Sequence, residues 1–89
     1  MNKNIFDAIE ARKMLTDRIE SLIEKQLEYI CTCIKVSINE GINYVDIDVN
    51  SIDGFHYTTN NIINRLKNLG YDVHYSSNQK NEYFLKIKW

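Results

Sequence analysis

The stretch Tyr83-Phe84-Leu85-Lys86-Ile87-Lys88-Trp89 decides the fold. Tyr83, Leu85, Ile87 and Trp89 fall on one side, and Phe84, Lys86 and Lys88 on the other. A period of two is the pattern of a half-buried strand. It is the most apolar of three such stretches in this chain, so it belongs in the centre of a sheet.

Working outward, Tyr44-Val45-Asp46-Ile47-Asp48-Val49 alternates strictly, with Val45, Ile47 and Val49 toward one side and Tyr44, Asp46 and Asp48 toward the other. Tyr71, Val73 and Tyr75 mark another strand. Between these two, Asn60 to Leu69 carries Ile62, Ile63, Leu66 and Leu69 at helical spacing, capped by Thr58 or Thr59 and stopped by Gly70. Asn50 to Phe55 reads as a loop that turns at Asp53-Gly54. The helix makes the first two strands parallel through a right-handed crossover. The polar run Ser76 to Asn81 closes the second and third into an antiparallel hairpin. With the third strand central, the order is one-three-two, a split β-α-β. Asp46 and Asp48 then lie near Lys86 and Lys88 as opposite-charge cross-strand pairs. The expected fold is α+β, with both helices on the Val45, Ile47, Leu85, Ile87 face.

Upstream, Asn4 to Asn39 contains no proline or glycine, and Gly41 is its natural stop. Ile5, Ile9, Leu15, Ile19, Leu22, Ile23, Leu27, Ile30, Ile34 and Ile38 recur mostly three or four apart, a helical stripe. Such a helix is about 50 Å long, whereas a compact domain of this size has a radius of gyration of about 12 Å. It must project, break, or pack against another copy. Thr16-Asp17 is the candidate break, because Asp17 and Glu20 have capping-box spacing. One kinked helix and two helices both remain open; a break frees the part up to Leu15 as an arm. The chain reads as one domain, with residues 1–40 an arm and packing helix and residues 42–89 a β-α-β-β unit. Ile5, Ile9, Leu15, Ile19, Ile23 and Ile30 are the expected homo-oligomer interface.

Eighty-nine residues give a modest core that a partner copy often completes. Hydrophobic content of 44% puts the chain in the globular class. A net charge of −1 argues against broad capture of nucleic acid. The second helix carries only Arg65 and Lys67, which disfavours sequence-specific reading of DNA. No apolar run approaches the length of a membrane span, and Met1 to Asp7 lacks the apolar centre of a secretion signal. Cytoplasmic location is the expectation.

Few residues carry chemistry. Cys31 and Cys33 lie two apart on a helix, poorly placed for a disulfide, and read as buried or partly buried thiols. Asp46, Asp48, Asn50 and Asp53 resemble the start of a calcium loop, but Ser51 and Tyr57 stand where that loop needs Gly and Glu. His56 and His74 read as surface residues, with no nucleophile placed beside them. No catalytic group, metal site or cofactor is expected. The strongest candidate is the sheet face away from the helices. There Tyr44, Asp48, His74, Phe84, Lys86 and Lys88 interleave aromatics with cations, a pattern able to stack a base and hold phosphate.

The run Thr58-Thr59-Asn60-Asn61-Ile62-Ile63-Asn64-Arg65-Leu66-Lys67-Asn68-Leu69-Gly70-Tyr71-Asp72-Val73 resembles a pattern in small phage and prophage proteins. These have a long charged first helix, a strand, a capped helix ending Leu-Gly-Tyr, and two more strands. Ala8 to Thr16 resembles their opening segment. The resemblance implies origin in a mobile element and supplies no catalytic residues. The expected function is a non-enzymatic, homo-oligomeric binding protein, in one form a counter-defence protein that sequesters a nucleotide signal or a host protein. The alternative is a virion or assembly accessory.

Overall fold

The computed structural model describes residues 7–89. Their elements are α1 (Ala8–Asn39), β1 (Tyr44–Asp48), two 3-10 turns (Val49–Ser51 and Phe55–Tyr57), α2 (Thr59–Asn68), β2 (Asp72–Ser77) and β3 (Tyr83–Lys88). The fold is α+β. The sheet has the order β1-β3-β2, and β3 is antiparallel to both neighbours. β1 and β2 therefore run parallel to each other across it. Asp46 faces Lys86 as expected, but Asp48 faces Phe84 and Lys88 faces Tyr44. Opposed strand directions carry the second aspartate away from the second lysine.

α1 is one continuous helix, so the break at Thr16-Asp17 is absent. The Thr16 hydroxyl donates to the Arg12 carbonyl within the helix instead of capping a new one. The N-cap is Asp7, whose carboxylate accepts the Glu10 amide at 2.8 Å. The described helix thus starts at Ala8; the expected start at Asn4, and Ile5 with it, lie outside the described residues. Both helices end in the same way. Gly41 and Gly70 take positive φ values of 76° and 98°. Ile42 then bonds back to the Ser37 carbonyl and Tyr71 to that of Leu66. These are Schellman ends, which satisfy carbonyls the helix leaves without partners.

The core lies between one face of the sheet and the two helices. Ile23, Ile30 and Ile34 of α1 and Ile62 and Leu66 of α2 pack with Ile47, Val73, Leu85 and Ile87. Ile23 and Ile30, expected in the oligomer interface, are each 1% exposed inside this core and cannot also meet another copy. Leu69, expected on the buried face of α2, is exposed at the C-cap of that helix. From Ala8 to Arg18 every residue of α1 is exposed. The molecule is accordingly elongated, 60 × 29 × 19 Å, with a radius of gyration of 16.5 Å.

The stripe of α1 contains one buried amide, Gln26. Its Nε2 donates to the Asp53 carbonyl at 2.8 Å, and its Oε1 accepts the Thr58 hydroxyl at 2.6 Å. Thr58 occupies the N-cap of α2 as expected, yet its side chain makes no capping bond. The hydroxyl is turned toward Gln26, so its oxygen accepts no amide from the first turn of α2. Among the described residues no buried side-chain nitrogen or oxygen lacks a partner. Gln26→Ala should lower stability by about 2–3 kcal/mol, since it opens a gap in the core, strands the Asp53 carbonyl and leaves the Thr58 hydroxyl only its longer 3.3 Å bond to the Phe55 carbonyl. A double-mutant cycle with Thr58→Val, read by urea denaturation, should give a coupling of about 1–2 kcal/mol.

Candidate functional site

The sheet face away from the helices does gather Tyr44, Asp48, His74, Phe84, Lys86 and Lys88, and the register sets their neighbours. Asp46, Lys86 and His74 form one row across the sheet, and Tyr44, Lys88 and Asp72 the next. Asp48, Phe84 and Ser76 form a third, with Phe84 half-buried. Each lysine therefore has an aspartate in its row. The Lys86 ammonium also lies 5.4 Å from the centre of the Tyr44 ring. His74 approaches Asp72 at 3.4 Å, both well exposed. Three carboxylates against two lysines and a histidine leave no excess of positive charge for phosphate. Pairs this exposed contribute little. Lys86→Ala or Lys88→Ala should shift the urea midpoint by less than about 0.5 kcal/mol equivalent.

A second surface follows the projecting end of α1. Ile9 is 73% exposed and Leu15 60%, and Met14 is exposed on another side of the same turns. Ile19 and Leu22 are half-buried. Leu15, Arg18, Ile19 and Leu22 line one wall of a groove of about 470 Å³, and Gly54 and the exposed Tyr57 line the other. Of the expected interface residues, Ile9, Leu15 and Ile19 belong to this surface.

A third feature, a cleft beside the β1–α2 connection, was not legible as a site. The connection opens on Asp48, whose carboxylate accepts the Asn50 amide at 2.9 Å and whose carbonyl accepts the Ser51 hydroxyl. The Tyr29 hydroxyl reaches Ser51 from α1, and Gln26 holds Asp53 and Thr58. Gly54 takes a φ of 72° against Leu22; a Cβ there would come within 2.9 Å of that side chain. The loop is therefore held to the helix along its length. It buries Phe55, which stacks on Tyr75 at 6.0 Å between ring centres. Tyr75 in turn stacks on Tyr83 at 5.6 Å with planes 13° apart.

Tyr75 and Tyr83 point to the same side of the sheet as Val73 and Leu85, yet each stays 43% exposed. They form one wall of a cleft of about 330 Å³, and Asn50, Asp53 and His56 line the other. The alternation of Tyr75 and Tyr83 assigned them to the apolar side, and His56 was assigned to the surface. Only the pairing of β2 with β3 and the pinned loop bring them together. The usable sequence signal was an aromatic on each arm of one hairpin, both on one side.

Cys31 is exposed and Cys33 half-buried; Cys31 points away from the core because it lies one residue past Ile30 on the helix. Among the described residues no cluster of three or more His, Cys, Asp or Glu is placed to hold a metal. No helix among them is long and apolar enough to cross a membrane. Comparison of the chain with protein-family models, with characterised proteins and with solved structures finds no match.

Proposed function

We propose that this chain is a non-enzymatic binding protein that works as a homo-oligomer, with the projecting end of α1 as the contact between copies. One observation carries the reading: Ile9, Met14 and Leu15 remain exposed on helix turns that extend past the domain's own sheet. Each apolar side chain of this size stabilises a contact by about 1.5–3 kcal/mol on full burial. A second copy is the partner best matched, because the arm and the groove beside it share one element. A two-fold, antiparallel pairing of arms lets Leu15 of each copy approach the groove of the other, a self-complementary contact. One form of this role is counter-defence, in which the assembled protein sequesters a nucleotide signal or a host protein. The bare arm also suits docking on a larger phage assembly, and recovery of the protein in purified virions separates that role from the first.

Sedimentation equilibrium of the full chain should give a mass above the 10.5 kDa of one copy. Ile9→Glu combined with Leu15→Glu should return it to a folded monomer with unchanged circular dichroism. Ile23→Glu should instead unfold the protomer, because that side chain is 1% exposed. A wild-type chain that stays monomeric at high micromolar concentration rules the oligomer out.

A further inference from the structure

We propose that the cleft between the β1–α2 loop and the Tyr75–Tyr83 pair binds an uncharged sugar ring. The proposal rests on the reading of the chain as a binding protein, but not on its self-association.

Charge comes first. The cleft lining includes Asp53 and His56 and contains no lysine or arginine. A phosphorylated ligand has no permanent cation to meet there and one carboxylate to repel it. The lysines of the sheet, Lys86 and Lys88, lie on the opposite face. This separates the cleft from any nucleotide or anion site.

Shape and polarity come next. One wall is aromatic, the end of a stack that runs Phe55, Tyr75, Tyr83. Pyranose rings present several C–H groups on one side, and these pack well on the electron-rich face of an aromatic ring. The other wall is formed by Asn50, Asp53 and His56, the last with its imidazole 3.9 Å from the Tyr57 ring, and these residue types carry an amide, a carboxylate and an imidazole. Sugar hydroxyls both donate and accept, so they satisfy an amide and a carboxylate at once. A hydroxyl donating to a carboxylate makes a charge-assisted bond, about twice as strong as a neutral one. The volume of about 330 Å³ sits at the small end for ligand pockets, suited to one ring.

Preorganisation is the last element. Gln26 and Tyr29 tie the polar wall to α1, and Phe55 anchors it in the core. Binding then orders little that is not already ordered, which favours affinity.

The test is a ¹H–¹⁵N NMR titration of the full chain with the methyl glycosides of glucose, galactose, mannose and N-acetylglucosamine, and with glucose 6-phosphate and AMP for comparison. At least one glycoside should shift the amides of residues 50–57, Tyr75 and Tyr83 in a saturable way. Tyr83→Ala should weaken it at least tenfold; Asn50→Ala and His56→Ala, both at exposed positions, should each weaken it several-fold and test the site independently of the hairpin. Lys86→Ala should leave it unchanged, and the phosphorylated probes should bind less well. The chain carrying both Ile9→Glu and Leu15→Glu should bind equally, so that loss of the oligomer and loss of the sugar site are read separately. Absence of saturable shifts at ~100 mM glycoside, preference for the phosphorylated probes, or shifts centred on Phe84 and Lys86 overturns the proposal.

Discussion

A strand of five or six residues spans about 17–20 Å, whereas the 32 residues of α1 run about 48 Å. The sheet therefore covers less than half of the helix that packs on it. Every other feature answers to that mismatch. The covered part, from Ile23 to Ser37, carries all the residues α1 buries. The uncovered part carries Ile9, Met14 and Leu15, which stay exposed, and the β1–α2 loop fills the step between the two.

Gln26 sits at that step. An amide in an isoleucine stripe is costly to bury unless both ends are paired. Here the pairing serves a connection that has no strand or long helix of its own. One side chain from α1 holds the middle of the loop and the start of α2. The loop in turn inserts Phe55 into the core beside Ile52 and supports Tyr75. The groove and the cleft share this loop as a wall, so a change at Gln26 reaches both. Gly54 belongs to the same device, since its positive φ lets the chain pass close to Leu22.

Much of the fold was legible because it depends on local periodicity. The strict alternation of Val45 and Ile47, and of Leu85 and Ile87, specified which face of the sheet is buried, and the apolar character of the last strand specified its central place. The glycines at 41 and 70 marked both helix ends. The reading failed where tertiary partners outweigh local signals. Thr16-Asp17 has cap chemistry, but a helix with apolar residues on both sides of it loses hydrogen bonds by breaking there. Thr58 has the right residue type for a cap, but a buried amide claims its hydroxyl. Ile23 and Ile30 belong to the same stripe as Ile9 and Leu15, and periodicity alone does not say where the sheet stops covering it. The sheet face was assembled correctly as a set of residues, yet its promise as an anion site vanished once the register set an aspartate beside each lysine. The cleft depends on a loop conformation that no period describes.

The central position of β3 has a kinetic consequence. β1 and β2 never touch as neighbours; each completes its hydrogen bonds only on β3, which follows both in the chain. Tyr44 meets Lys88 across about half the length of the chain, and Trp89 bonds to the Asn43 carbonyl beside it. In the chain, α1, β1, α2 and β2 all precede the strand that joins them. Until it docks, two strand edges and an isoleucine stripe stand open together, and closing so distant a contact is slow. The interval before β3 docks is therefore the one in which this chain is most exposed to aggregation.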